Sequence, residues 1–197
     1  GDRLAGACFT SGSAGTIGCG DYLKEVYPAM KLAVGEAVQC PTILNNGFGD
    51  HRVEGIGDKH VPWIHDVKNT DMVVDVDDND AMALLRLFNE PAGKAQLMDA
   101  GVDPQLVEQL SLMGISGIAN VLCCIKLAKY YELTGHDVVC TVLTDSADMY
   151  RSRLAELTQQ LGEYDAKAAA YDFALHLMGL KTDCMAELGY YDRKRVH

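Results

Sequence analysis

Short apolar runs alternate with amphipathic stretches along the 197 residues of the chain. Residues 4–9, 30–37 and 72–76 are largely apolar and have the length and composition of buried strands. A fourth run, residues 138–143, is rich in β-branched side chains without alternation, as expected for a strand covered on both faces. Strands that alternate with helical segments predict an α/β fold: a three-layer, mostly parallel, twisted sheet with helices on both faces.

The first helical segment follows residue 16 and ends before Pro28, which cannot continue a helix. Its predicted apolar face, which we expect to pack on the sheet, consists of Cys19, Leu23, Val26 and Tyr27. Later helices are predicted from apolar spacing and boundary residues; they cover residues 78–90, 92–99, 103–112, 118–133, 149–161 and 164–178. We expect residues 1–160 to form one large domain and residues 161–197 a helical C-terminal extension packed on it.

Composition narrows the classes of function. Hydrophobic residues make up 48% of the chain, and no apolar run is long enough to span a membrane. A formal net charge of -11 argues against a nucleic-acid partner, because phosphate backbones need a basic face. An anionic ligand would therefore have to be bound by local backbone dipoles.

The cysteines indicate a reducing environment. There are seven, an odd number without a regular C-x-x-C pair, and they accompany apolar segments. This pattern predicts reduced thiols used as small core residues in a cytoplasmic protein. Cys123 and Cys124 are adjacent, but neighbours on a helix point in different directions, so a redox pair of these two is the less favoured interpretation.

A loop of small residues connects the first strand to the first helix. This 11–16 loop consists of Ser11, Gly12, Ser13, Ala14, Gly15 and Thr16. Small residues let the backbone approach an anion closely, successive N–H groups can point at it, and the following helix adds the positive end of its dipole. The loop is therefore predicted to hold a phosphate group, and a turn that only packs tightly is the alternative.

The segment between the second and third strands is long, irregular and rich in glycine, which is typical of functional loops. His51, Arg52, Lys59 and His60 are candidates there for substrate contacts, and Arg52 is suited to bind a carboxylate with two hydrogen bonds. Histidines and aspartates in this segment suggest zinc, but none has the i, i+4 spacing of a helical site, so we predict no metal. Hydrogen bonds that order the loop are the alternative role for these side chains.

Four motifs occur in the order found in one enzyme superfamily. They are Gly12-Ser-Ala-Gly15-Thr16 with Tyr22-Leu-Lys-Glu25, Gly55-Ile-Gly57 with Val61-Pro62, Gly114-Ile-Ser-Gly117, and Thr144-Asp145-Ser146. Over about residues 4–155 the chain resembles the pyridoxal-phosphate enzymes of fold type II. This is the tryptophan synthase β superfamily, which includes cysteine synthase and cystathionine β-synthase.

The resemblance implies a cofactor and roles for individual residues. Pyridoxal 5'-phosphate would be held at its phosphate by residues 12–16, with Gly55 and Ile56 as further cofactor contacts. Ser146 would face the pyridine nitrogen. A neutral hydroxyl there makes the cofactor a milder electron sink than a carboxylate would, which suits β-elimination and β-replacement on amino-acid substrates. Members of the superfamily usually form homodimers.

One branch of the superfamily resembles this chain more closely in sequence. Residues 35–64 and the ending Tyr190-Tyr-Asp-Arg-Lys-Arg195 are similar to the β subunits of 2-amino-4-ketopentanoate thiolase. Those subunits cleave their substrate with coenzyme A to alanine and acetyl-CoA. Coenzyme A is therefore a possible second substrate.

The chain also departs from the superfamily pattern. Ala14 replaces a glycine, which is tolerable only if its φ stays below zero, and residues 92–113 are a helical insertion. None of the ten lysines lies in the context of the Schiff-base lysine, which the superfamily carries in its N-terminal half. We therefore expect the C-terminal part of a longer enzyme, inactive without the missing N-terminal half or a partner subunit.

Two other classes of protein stay open. A Rossmann-like nucleotide-binding domain would place Glu36, at the end of the second strand, on a ribose. The glycines of this chain at positions 12, 15 and 18, however, are spaced G-x-x-G-x-x-G, whereas such domains have the spacing G-x-G-x-x-G. A non-catalytic scaffold would keep the phosphate site without chemistry.

Overall fold

The computed structural model describes residues 2–196, and these contain a five-stranded sheet. The strands are β1 (Arg3–Thr10), β2 (Lys31–Ala37), β3 (Met72–Val76), β4 (Asp137–Cys140) and β5 (Met185–Glu187). Their spatial order is β4-β1-β2-β3-β5; β1 to β4 are parallel, whereas β5 is antiparallel to β3. The prediction of a mostly parallel sheet is therefore confirmed.

Seven of the described helices fall on predicted segments, whereas the short second helix and the last helix were not predicted. They are α1 (Ile17–Val26), α2 (Thr42–Asn45), α3 (Asp78–Asn89), α4 (Pro91–Asp99), α5 (Pro104–Gln109), α6 (Ile115–Tyr130), α7 (Arg151–Leu161), α8 (Ala166–Asp172) and α9 (Tyr190–Val196). Short 3₁₀ turns cover Leu110–Leu112 and Ala147–Tyr150, and a π-helix covers Phe173–Met178. None of the helices within residues 2–196 has the length and apolar character needed to cross a membrane.

The chain forms two compact units, each built from discontinuous segments. The sheet unit contains residues 2–78, 119–142 and 181–196, and it holds the five strands. The helical unit contains residues 79–118 and 143–180. The division into a large domain up to residue 160 and an extension beyond it stays a prediction.

Helices cover both faces of the sheet unit. On one face α6 lies against strand glycines, since a Cβ on Gly6 would be 2.7 Å from Leu127 and one on Gly35 would be 2.7 Å from Cys123. On the other face a single apolar cluster joins the strands to α1, α2 and α9. Its buried members are Ala7, Phe9, Ala14, Ile17, Met30, Leu32, Val34, Ile43, Val67, Val73, Leu188 and Val196. The predicted three-layer arrangement is confirmed.

The face of α1 that packs on the sheet differs from the prediction. Ile17 and Gly20 are buried, and a Cβ on Gly20 would overlap Leu32. Of the predicted face, Leu23 packs against the apolar cluster, whereas Cys19 is exposed and Val26 and Tyr27 are about half exposed. The prediction is therefore confirmed for Leu23 and wrong for the other three, because apolar spacing does not show the close approach of helix and strand at Gly20.

β4 is shorter and more exposed than predicted. The run at residues 138–143 is a strand only as far as Cys140, and it lies at the edge of the sheet with Val138 exposed. The predicted burial on both faces was wrong, because a β-branched run does not distinguish a central strand from an edge strand. At the opposite edge, the C-terminal segment adds β5 before it becomes helical in α9.

Helix α3 is buried over residues 81–88 and takes part in a polar network. Ala81, Leu84, Leu85 and Phe88 have the helical spacing from which this helix is predicted, and the side chains between them are buried as well. Arg86 on the same helix lies over the ring of Tyr164, 4.6 Å from its centroid, and the Tyr164 hydroxyl donates to Asp172 over 2.9 Å. These contacts join α3 to α8 within the unit.

Candidate cofactor site

The 11–16 loop begins at the carboxyl end of β1 and is fixed on two sides. The Ser11 N–H donates to the carbonyl of Gly35 at 2.9 Å, which ties the loop to β2. The Ser11 carbonyl accepts from the N–H of Gly57 at 2.8 Å, which ties it to the Gly55-Ile-Gly57 turn. Two motifs that lie more than forty residues apart in the sequence are therefore in direct contact.

Glycine is required on both sides of this contact. A Cβ on Gly12 would be 2.9 Å from the carbonyl oxygen of Gly55, too close for any side chain. Gly55 and Gly57 have φ values of +84° and +83°, which side chains rarely adopt. Ile56 between them is buried and anchors the turn.

The 11–16 loop has free backbone donors. Among residues 2–196 no acceptor is found for the N–H groups of Gly12, Ser13, Ala14 and Gly15. Ser13 and Gly15 are exposed, so these donors are accessible to a ligand. Consecutive free amides beside a helix N-terminus match what a phosphate group requires.

Ala14 corrects one expectation. Its φ is +63°, in the left-handed region, although we expected a value below zero. The side chain is buried in the apolar cluster, where Ile17 and Phe9 also lie. Burial of the methyl group offsets the backbone cost of a left-handed alanine, which is of the order of 1–2 kcal/mol.

Asn120 supports the loop from α6, and the sequence analysis did not identify it. Its side-chain oxygen accepts from the N–H of Thr10 at 2.7 Å, and its side-chain nitrogen donates to the carbonyl of Val142 at 2.9 Å. The residue is buried. A single asparagine in an otherwise apolar helix was the available signal, because a buried amide needs hydrogen-bond partners.

The carboxylate of Glu36 is engaged in hydrogen bonds within the protein. Its two oxygens accept from the N–H groups of Ile43 at 2.8 Å and Leu44 at 3.1 Å, at the start of α2. Burial raises the pKa of Glu36 to about 7, against the opposing effect of these amides. The carboxylate is therefore not free to bind a ribose, and the nucleotide-binding alternative is not favoured.

Asp75 is a second buried acid next to Glu36. It pairs with Glu36 in the register of β2 and β3, and one of its carboxylate oxygens has no hydrogen-bond partner within residues 2–196. Burial raises the pKa of Asp75 to about 8, and the Glu36 charge adds to the effect. Two acids of the sheet unit thus keep their protons to unusually high pH.

The four substrate candidates lie in different surroundings. Arg52 pairs with the buried Asp78, since its side chain is 2.7 Å and its backbone N–H 2.9 Å from that carboxylate. His51 packs against Gly57, where a Cβ would overlap its ring. Lys59 and His60 are exposed, and His60 lines a small cavity beside the 11–16 loop. Their contact with a substrate stays a prediction.

The Thr144-Asp145-Ser146 motif is held inside the helical unit by the Gly114 motif. The N–H of Gly114 donates to the carbonyl of Asp145 at 2.9 Å, and the hydroxyls of Ser116 and Thr144 are 3.1 Å apart. Ser146 is half-buried and starts the 3₁₀ turn Ala147–Tyr150. Two further motifs of the superfamily pattern are thus in contact with each other.

Two other features of the described residues bear on ligands. Within residues 2–196 no group of three or more His, Cys, Asp or Glu side chains is arranged to hold a metal ion. A cavity of about 450 Å³ is lined by residues 61–68 and Val196, and none of the predicted site residues lines it.

Two known proteins that are similar to this chain in sequence are cysteine synthases. No family model matches it. Cysteine synthase 3 of Caenorhabditis elegans is 29% identical over 167 residues, which are 82% of this chain and 44% of that protein. Cysteine synthase B of Campylobacter jejuni is 28% identical over 142 residues, which are 72% of this chain and 40% of that protein.

A solved structure shows the same fold. O-acetylserine sulfhydrylase isoform 3 of Entamoeba histolytica matches with a TM-score of 0.64 and 22% identity, over 88% of this chain and 46% of that chain. The relatives are thus fold type II enzymes of the cysteine synthase type, which use pyridoxal phosphate. The chain spans less than half the length of the curated relatives it matches.

Proposed function

We propose that this chain is the C-terminal part of a pyridoxal-phosphate enzyme that acts on amino acids, and that its 11–16 loop binds the cofactor phosphate. The observation that carries the proposal is the run of free backbone donors from Gly12 to Gly15, at the carboxyl end of a parallel strand. The names of the relatives support it independently.

The residues of the chain have defined roles in this proposal. The backbone of residues 12–16 and the hydroxyls of Ser13 and Thr16 bind the phosphate, and the contact between Gly12 and Gly55 keeps the loop in place. When bound, pyridoxal phosphate supplies an electron sink for negative charge on the α-carbon of an amino acid. Ser146 offers a neutral hydroxyl to the ring nitrogen, an assignment that rests on its motif.

Two reactions with different substrates are compatible with the proposal. The relatives are named for cysteine synthesis, whereas the wording of residues 35–64 favours the β subunit of 2-amino-4-ketopentanoate thiolase, with coenzyme A as second substrate. Sulfide-dependent replacement and coenzyme-A-dependent cleavage, assayed side by side, distinguish them. His51, Arg52, Lys59 and His60 are the proposed substrate contacts.

The proposed reaction requires a second polypeptide segment. The reactive lysine of the superfamily has no matching context in this chain, so we propose that a further N-terminal half or a partner subunit supplies it. The chain alone is then expected to bind the cofactor without turning over substrate. Homodimer formation and a cytoplasmic location are also proposed, the latter from the cysteine pattern.

A charge placed in the loop tests the phosphate site. Gly15 has an ordinary φ and its added Cβ would be 3.9 Å from the nearest atom, the Ser13 hydroxyl, so a side chain fits there. Gly15→Asp should weaken binding of pyridoxal 5'-phosphate about tenfold or more, because its carboxylate repels the phosphate. Calorimetric titration measures the change.

Gly15→Asn is the matched control, with the same shape and no charge, and it should bind far more tightly than the aspartate variant. Pyridoxal without the phosphate should bind weakly to all three proteins. Equal affinity of the two variants for pyridoxal 5'-phosphate would contradict the proposed site, and preferential binding of NAD by the unaltered chain would favour the nucleotide-binding alternative.

A further inference from the structure

Helix α6 lies along strand β1 in a fixed register. At one end the side chain of Asn120 accepts from the N–H of Thr10 at 2.7 Å. At the other end a Cβ on Gly6 would be 2.7 Å from the side chain of Leu127. These two contacts fix the helix over the same face of the strand that Gly6 and Thr10 share, because alternate strand residues point to one side.

Two cysteines lie between these contacts. Cys8 is midway between Gly6 and Thr10 on the strand face, and Cys124 is four residues after Asn120 and three before Leu127 on the helix face. The spacing therefore places the two side chains opposite each other. Consistent with this, the two thiols interact electrostatically.

The two thiols have different chemical characters. Cys8 is fully buried, whereas Cys124 is half-buried. The neighbouring Cys8 lowers the pKa of the Cys124 thiol, whereas Cys124 and burial raise the pKa of Cys8. Cys124 is thus the more acidic and the more exposed of the two thiols, which suits it to react first.

The adjacent Cys123 does not share this arrangement. Its sulfur lies over Gly35 and donates to the carbonyl of Val74 at 3.6 Å, so it faces β2 and β3. Burial raises the pKa of the Cys123 thiol well above its usual range. The two neighbours in sequence thus point to different strands, and the partner of Cys124 is distant in sequence.

We propose that Cys8 and Cys124 are a modification site, a dithiol that a low-molecular-weight disulfide such as oxidised glutathione converts to an intramolecular disulfide. The Cys124 thiolate attacks one sulfur of the small disulfide, forms a mixed disulfide and releases one thiolate. The Cys8 thiol then loses its proton and attacks the Cys124 sulfur, which expels the second small thiol. The protein loses two electrons and two protons, and the small disulfide is reduced to two thiols.

The site is independent of the proposed cofactor chemistry. The new bond would join Cys8 of β1 to α6. Cys8 lies two residues before Thr10, the last residue of β1, and the 11–16 loop follows Thr10 directly. A cross-link between positions so distant in sequence restricts the unfolded chain. Oxidation should therefore raise the guanidinium concentration at which the sheet unit unfolds.

The test uses the full chain with its three exposed cysteines, Cys19, Cys140 and Cys184, replaced by serine. This leaves four of the seven thiols. After incubation with oxidised glutathione, the denatured protein should show two free thiols, a mass lower by two hydrogen atoms and no glutathione adduct. Peptide mapping should find Cys8 linked to Cys124, and dithiothreitol should restore all four thiols.

Two variants separate the steps. Cys8→Ser should stop at the mixed disulfide and keep one glutathione on Cys124, and Cys124→Ser should leave the remaining thiols unmodified. Both predictions are read by mass, which does not depend on enzymatic activity. A stable glutathione adduct on the four-thiol protein, a link to Cys40 or Cys123, or four unreacted thiols would each overturn the proposal.

Discussion

The two motif turns of the molecule are stabilised in opposite ways. The 11–16 loop of the sheet unit is fixed at its first residue, Ser11, by backbone hydrogen bonds to Gly35 and Gly57, and its central N–H groups have no acceptor within residues 2–196. The Thr144–Ser146 turn of the helical unit is fixed by side chains and backbone together, through Gly114 and Ser116.

In the proposed function, the first turn binds a ligand and the second presents a side chain. The exposed donors of the first turn bond to water, which an anion can replace. In the second turn the Gly114 N–H and the hydroxyls of Ser116 and Thr144 already have partners, so the backbone that carries Ser146 is held within the helical unit. The first should therefore respond to ligand and pH, and the second to packing.

The largest effect is expected from Gly114→Ala in the helical unit. The added Cβ would overlap the carboxylate of Asp145 and lie 2.9 Å from the ring of Tyr150, so the turn must shift. We expect a loss of about 3 kcal/mol in the free energy of unfolding, measured by urea denaturation. Gly135→Ala is the control, because nothing lies within 4 Å of its added Cβ. Equal stability of the two variants would show that the turn is not tightly packed.

A pH effect of intermediate size is expected in the sheet unit. The pKa of Glu36 rises on folding from an ordinary value of 4.5 to about 7, and that of Asp75 from 3.8 to about 8, chiefly through burial. The folded state holds these protons more tightly, so their contribution to stability is complete below about pH 4 and is lost as pH rises through 7–8. For Glu36 alone we expect a decrease of about 2 kcal/mol between about pH 5 and about pH 8.

Glu36→Gln tests this effect, because the amide cannot titrate and keeps one oxygen for the N–H groups of α2. The variant should lose less stability than the unaltered protein over the same pH range, measured by urea denaturation at both pH values. Glu25→Gln, at an exposed position of α1, should leave the pH dependence unchanged. A variant at Glu36 that keeps the full slope would show that this carboxyl is not the origin.

The smallest effect is expected from Tyr150→Phe. The Tyr150 hydroxyl donates to one oxygen of Asp145, whose other oxygen is buried without a partner within residues 2–196. Loss of the hydroxyl should cost about 1 kcal/mol of unfolding free energy, because the carboxylate loses a donor it cannot replace from water. Tyr190→Phe, at an exposed ring, is the control and should be neutral in the same thermal or urea titration. A neutral Tyr150→Phe would show that water replaces the hydroxyl.

The sequence was sufficient for features that depend on local chemistry. The strand at residues 72–76, the helix α3 and the glycines at positions 12, 55 and 57 follow from composition and spacing, and the structure contains each of them. The sequence was insufficient where two elements pack against each other. The buried face of α1 depends on Gly20 meeting Leu32, and no pattern within the helix indicates that contact.

The four parallel strands, most of the helices, the loop of small residues and the superfamily motifs were therefore determined by the sequence alone, because backbone propensity and side-chain size act over a few neighbouring residues. The tertiary structure alone decided that Glu36 caps α2, that Asn120 holds the end of β1, and that Cys123 faces Gly35. Each of these depends on which distant residue fills the space opposite, and packing of the whole sheet unit sets that choice.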